Sequence, residues 1–302
     1  MNHLLSMREL APGQIRELVR LGATLKAERG HHSAHPLQKQ CWGLIFSKSS
    51  TRTRVSFEVG IRELGGDALF LSSADIQLGR GEPIKDTARV LGRLLHGAVI
   101  RTFAQNDVVD FAHYSGIPTI NALTDDEHPC QVLADLLTIQ EKFGTLDGLR
   151  IAYVGDGDSN MARSWIWASE HLGFELVIAA PKKYQPSADY LAALKNGTVT
   201  TNEDAFDAVR GADVLYTDVF VSMGQEADSA VRLAELADYQ INAALVAAAA
   251  PGAIVMHCLP AYRGKEITEE ILEAHAGTIF DQAENRLHAQ KAILTILARG
   301  RE

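Results

Sequence analysis

The chain has 302 residues, 46% of them hydrophobic, with a formal net charge of −9. Such a length suits two domains, because a single core rarely grows beyond about 250–300 residues. The acidic balance excludes the basic face that nucleic-acid binding requires, and no apolar run reaches the roughly 20 residues needed to span a bilayer.

Strands are expected near residues 42–46, 67–71, 98–101 and 117–121, then 150–154, 175–179, 197–201, 213–217, 254–257 and 277–280. Amphipathic helices fill most of the gaps, among them Asp86–Leu95, Gln131–Lys142, Met161–Leu172 and Ala283–Ala298. Val55, Val59, Ile61 and Leu64 are expected on the apolar repeat of a further helix. Strand and helix in alternation mean parallel sheets covered on both faces. The expected fold class is α/β, with two doubly wound parallel-sheet domains and an active-site cleft between them. Residues 1–142 would form the first domain and 143–282 the second, with the last helix, 283–302, returning to pack on the first.

Polar residues of an unusual kind cluster where these strands end. Ser50-Thr51-Arg52-Thr53-Arg54 stands between a strand and a helix, so hydroxyls and guanidiniums crowd around free helix N–H groups. One hydroxyl there is an ordinary cap; alternation with two arginines makes a receptor for an oxyanion such as phosphate. A Walker-type loop is excluded, since no Gly-Lys-Ser/Thr follows a glycine-rich turn. Arg101 ends the third strand on the same edge. His128 either belongs to a helix cap or donates to a carbonyl oxygen, and Gln131 could face the same point from the first helical turn.

In the second half, Gly155-Asp156-Gly157 resembles a dinucleotide turn only weakly. Asp156 and Asp158 would repel a pyrophosphate, and no acid ends the next strand to hold a ribose, so a nicotinamide cofactor is rejected. Asn160, at a helix start, could hold an amino-acid headgroup. Asp218 ends a strand and could bind an ammonium or merely cap a turn. Cys258 is a small buried hydrophobe or, beside Asp218, part of a site. His31, His32 and His35 lie among Ser33, Ala34 and Pro36, which reads as a solvated loop; no metal and no cofactor is expected. Cys41, Cys130 and Cys258 lack paired spacing, and the N-terminus lacks an export segment, so a cytoplasmic location is expected.

Taken together, Ser50–Arg54, His128-Pro129-Cys130-Gln131 and His257-Cys258-Leu259-Pro260 resemble the carbamoyltransferases. The segments 75–82, 218–224 and Glu284-Asn285-Arg286 are similar to their ornithine carbamoyltransferase branch. The resemblance runs essentially end to end. It implies transfer of the carbamoyl group of carbamoyl phosphate to the δ-amine of ornithine, giving citrulline and phosphate. It also implies that Ser50, Thr51, Arg52, Thr53 and Arg101 hold the phosphate, joined by Gln77 from a neighbouring subunit of a homotrimer whose sites are shared. Arg101, His128 and Thr53 would donate to the carbonyl oxygen, while Gln131, the Leu259 carbonyl and Arg286 orient the carbamoyl group. Asn160, Asp218, Ser222 and Met223 would bind ornithine, with Asp218 and Cys258 near its side-chain amine. Two departures stand out: Ser159-Asn160 replaces a frequent pair of asparagines, and Phe220 replaces a frequent tryptophan. Rival readings are a carbamoyltransferase for putrescine, N-acetylornithine or aspartate, and a non-catalytic sensor of a phosphorylated metabolite.

Overall fold

The computed structural model describes residues 1–72, 81–222, 224 and 226–299. The chain divides into two compact units, Met1–Leu137 with Glu284–Glu302, and Thr138–Ala283. Its first part runs α1 (Pro12–Ala27), β1 (Cys41–Phe46), α2 (Thr51–Glu63), β2 (Asp67–Ser72), α3 (Ile84–Leu94), β3 (Gly97–Arg101), α4 (Gln105–Ser115), β4 (Thr119–Leu123) and α5 (Pro129–Phe143). There follow β5 (Arg150–Val154), α6 (Asn160–Leu172), β6 (Glu175–Ala179), α7 (Ala188–Ala192), β7 (Val199–Asn202), α8 (Ala205–Val209) and β8 (Val214–Thr217). The chain continues through α9 (Ser229–Glu235), α10 (Ala243–Ala248), β9 (Ile254–His257), α11 (Glu269–Ala274) and α12 (Ala276–Arg299).

Every pairing in the two sheets is parallel, in the orders β2-β1-β3-β4 and β7-β6-β5-β8-β9. Central strands are apolar on both faces, as a sheet covered twice requires: Trp42, Leu44, Ile45 and Phe46 of β1 are all buried. Each sheet grows first one way and then the other, reversing between β1 and β3 and between β5 and β8. At such a reversal the connections leave toward opposite faces, opening a crevice at the carboxyl ends of the two strands.

Two local expectations are corrected. The apolar run at 277–280 is not a strand but the first turns of α12. Ile279 is fully buried and Phe280 is 56% exposed, the sidedness of a helix; a short apolar run does not by itself reveal its period. On α2 the buried face is Thr53, Phe57, Gly60 and Ile61, while Val55 points to solvent.

His32 is the third correction. It is not solvated: its side chain is 4% exposed, and its Nε2 lies 3.0 Å from Lys291 Nζ and 3.3 Å from Glu63 Oε2. Lys291, fully buried on α12, also donates to Glu63 Oε2 at 2.7 Å and to the Leu25 carbonyl at 3.2 Å. This ionic cluster fastens α12 to α1 and α2. Close approach is possible because Gly22 and Gly60 are bare there; a Cβ on Gly60 would come within 3.2 Å of Lys291 Cγ.

Candidate active site

The first group of predicted residues gathers at the β1/β3 reversal. Ser50 caps α2 from extended backbone, its Oγ accepting the Thr53 N–H at 3.2 Å. Thr51 is exposed, Arg52 half-buried and Thr53 fully buried. Arg286, from α12, reaches Thr53: its Nη2 donates to Thr53 Oγ1 at 2.5 Å. Arg101 is the last residue of β3, buried, and its carbonyl accepts the Ser47 N–H at 2.8 Å, which ties the end of β1 to the end of β3.

His128 sits just ahead of α5, where its carbonyl accepts the Gln131 N–H at 3.1 Å. Gln131 is held in turn by its own helix, Nε2 donating to Asp135 Oδ1 at 2.8 Å. Burial, together with the nearby charges of Arg286 and Arg101, holds the His128 imidazole well below its ordinary pKa of 6.5. At neutral pH it is therefore uncharged, with one N–H to donate. Cys130 is inert by contrast: buried, donating to the Asn121 carbonyl at 3.3 Å, its thiol is pushed up to about 12 by burial.

Supporting contacts arise from distant sequence. Glu127 accepts the Ser6 hydroxyl and the Met7 N–H, the latter at 2.8 Å, so the residue before His128 is anchored to the N-terminal segment. Lys48, after β1, pairs with Asp125 and lies 4.3 Å from the centre of the Phe103 ring. Neither anchor had a sequence signal, because the partners are far apart along the chain.

The second group gathers at the β5/β8 reversal and the end of β9. Asp218 follows β8; its Oδ1 accepts the Val219 N–H at 2.7 Å and the Cys258 thiol at 2.9 Å. The thiol is thus the donor and the carboxylate the acceptor. Asn160 opens α6, whose cap Ser159 accepts the Ala162 N–H at 3.2 Å and meets the Tyr153 hydroxyl at 2.9 Å. Burial, and then the Asp218 charge, push the Tyr153 phenol well above its ordinary pKa of 10, so it stays protonated. Ser222 is half-buried beyond Asp218. Gln77 and Met223 lie outside the described residues.

His257 explains how Cys258 and Leu259 are held. The Leu259 N–H donates to its Nδ1 at 2.8 Å, so the ring proton is on Nε2, which donates to Glu266 Oε1 at 3.2 Å. Both side chains are fully buried, and the Tyr262 N–H shares the same Glu266 oxygen at 2.5 Å. Leu259 adopts a left-handed backbone, φ 57°, a conformation that β-carbon sterics disfavour and that neighbours must hold. Glu266 is a supporting residue that the sequence did not reveal. Ligand-type atoms of Asp218, His257 and Cys258 lie within 4.8 Å of one another. With both imidazole nitrogens engaged and the thiol donating to Asp218, they form a hydrogen-bonded set rather than an open ligand set.

The Gly155-Asp156-Gly157 turn is a socket. A Cβ on Gly155, φ 125°, would come within 2.9 Å of the Phe220 ring, and one on Gly157 within 2.9 Å of the Tyr184 carbonyl. Asp156 pairs with Arg232. Glycines spaced as for a cofactor here admit an aromatic side chain and a backbone instead.

Comparison with known proteins adds the decisive observation. Residues 2–141 match the family described as aspartate/ornithine carbamoyltransferase, carbamoyl-P binding domain, and residues 147–297 the Asp/Orn binding domain of the same family. The chain belongs to the aspartate/ornithine carbamoyltransferase family. It is accordingly an enzyme, a carbamoyltransferase. An ornithine carbamoyltransferase of Akkermansia muciniphila is 60% identical over 100% of this chain and 99% of its own length. The anabolic ornithine carbamoyltransferase of Pseudomonas aeruginosa is 48% identical over 98% of this chain and 96% of its own. Among solved structures, the anabolic ornithine carbamoyltransferase from Campylobacter jejuni superposes with a TM-score of 0.94 at 42% identity, covering 99% of this chain and 100% of that one.

Proposed function

We propose that this carbamoyltransferase uses ornithine as its acceptor, and that the two groups of residues act on one pair of substrates. The observation that carries the reading is the Cys258–Asp218 contact, a thiol donating at 2.9 Å to a carboxylate that directly follows β8. An ammonium is what such a carboxylate suits; an aspartate acceptor would call for a cation at that position. Ser50, Thr51, Arg52, Thr53 and Arg101 bind the phosphate. Gln131, Arg286 and the Leu259 carbonyl orient the carbamoyl group, and Asn160, Asp218, Ser222 and Met223 bind ornithine.

An alkylammonium has a pKa near ~10.4 in water and cannot attack while protonated. Desolvation lowers that value, and Asp218 takes the proton, since Cys258 already holds its own. The neutral nitrogen then bonds to the carbonyl carbon. Negative charge grows on the carbonyl oxygen, where Arg101, neutral His128 and Thr53 donate; one such donor contributes about 3–4 kcal/mol. Collapse of the tetrahedral species breaks the carbon–oxygen bond to phosphate, and the departing phosphate takes the second amine proton. No covalent enzyme intermediate is required. The resemblance of segment 75–82 supports a homotrimer in which Gln77 of a neighbouring subunit completes the phosphate site. Three unpaired cysteines suit a reducing cytoplasm. The anabolic naming of relatives supports synthesis of citrulline for arginine as the working direction.

The test is a colorimetric assay for the ureido group of the product, in which carbamoyl phosphate is offered with ornithine, putrescine, N-acetylornithine or aspartate. Ornithine is expected to give the highest kcat/KM by at least about 100-fold, the scale of one buried charge contact. Faster carbamoylation of any other acceptor contradicts the assignment.

A further inference from the structure

Arg232 belongs to none of the motifs above, yet it is bound on three sides. Its Nε donates to the Phe220 carbonyl at 2.8 Å, its Nη2 pairs with Asp156, and its guanidinium lies 4.9 Å from the centre of the Tyr184 ring. The arginine side chain is 14% exposed and the aspartate 8%. Its helix, α9, is fixed again by Glu235, which accepts the Tyr184 hydroxyl at 2.5 Å and pairs with Lys183 at 2.8 Å. Three connections at the carboxyl edge of the second sheet therefore converge on one guanidinium: the turn after β5, the turn after β6 and the segment after β8.

The third of these carries Asp218. At its start, Thr217 Oγ1 donates to the Val154 carbonyl at 2.8 Å; at Phe220 the ring is seated against Gly155 and the carbonyl is taken by Arg232. Between these two fastenings lie Asp218 and Val219. We infer that Arg232 is a positioning residue, which sets the place of the Asp218 carboxylate by holding the Phe220 carbonyl, with Asp156 as the counter-charge that fixes the guanidinium. A buried pair is weak evidence for added stability, because desolvation offsets attraction. Its effect here is geometric: without it the Phe220 carbonyl loses a charged donor and the Asp218 segment loses one of its fastenings. The inference rests on the assignment of Asp218 to the ornithine ammonium.

The experiment compares the full-length protein with Arg232→Met and Arg232→Lys, by hydrogen exchange of the amides of residues 218–222 and by steady-state kinetics. Arg232→Met is expected to speed exchange across that segment and to raise the KM for ornithine about ten-fold or more, while the KM for carbamoyl phosphate stays within about two-fold. Arg232→Lys, which keeps the charge, should recover part of both effects. Unchanged exchange in folded Arg232→Met, or equal rises in both KM values, overturns the inference. If Arg232→Met does not fold, Arg232→Lys carries the same comparison with wild type. Should the wild type fail to carbamoylate ornithine, the functional proposal falls, and the exchange measurement still decides the anchor.

Discussion

Two imidazoles in the first unit are kept uncharged by burial, and this gives the molecule an acid-sensitive side. His288, with its side chain fully buried on α12, is pushed down to about 4, chiefly by burial, although Glu284 accepts from it at 3.3 Å. His128 is held well below 6.5 by burial and by Arg286 and Arg101. In the unfolded chain both would titrate near ~6.5. A histidine whose folded pKa is depressed contributes stability that is complete above the unfolded value and is lost as pH falls toward the folded one. The urea midpoint should therefore drop as pH falls from about 6.5 to about 5, before most carboxylates titrate, and His288→Gln should flatten the slope. A midpoint constant across that window contradicts the burial argument. At this scale the sequence was informative where residue types are rare in combination: hydroxyls alternating with arginines, or an aspartate and a cysteine both ending strands. It was silent on Glu266, Arg232 and Glu127, common acids and bases whose partners come from other elements. His32 was misread for the same reason, since Lys291 and Glu63 lie far along the chain.

Among elements, the turn after β5 shows how one pattern can serve two ends. A glycine-rich strand-to-helix junction is also what a dinucleotide needs, and the sequence argued against that use through its acids. The structure supplies the positive reason, a seat for Phe220, which is 1% exposed. Gly155→Ala would place a methyl 2.9 Å from that ring on a residue with φ 125°. Strain of this kind costs about 1–3 kcal/mol, so a matching loss in urea unfolding is expected, with weaker ornithine binding as the Phe220 segment shifts. Wild-type stability in Gly155→Ala would show that the turn does not seat the ring. Strand positions were legible because parallel strands are short apolar runs bounded by polar turns; β5, β6 and β9 cover the residues expected of them, 150–154, 175–179 and 254–257. Their order within each sheet was not, since spatial neighbours are chosen by crossover packing rather than by local pattern. The error at 277–280 belongs here as well: α12 opens with an apolar stretch too short to show a helical period.

At the scale of the whole molecule, each sheet has one reversal point, and each reversal carries one group of predicted residues. The first is cationic and rich in donors, with Arg101, Arg286 and neutral His128; the second offers a carboxylate and a thiol. Neither alone suffices for the proposed reaction, because one substrate is a phosphorylated anion and the other an amine. The measurement that tests this most directly is transfer of label from carbamoyl phosphate, carrying isotope in its carbonyl carbon, to citrulline, in wild type, Arg101→Leu, Asp218→Asn and the double variant. Each single variant should lose at least about 100-fold in kcat/KM with its fold intact, and the double should lose less than the product of the two, as groups serving one transition state do. Near wild-type transfer in either single variant would contradict the account.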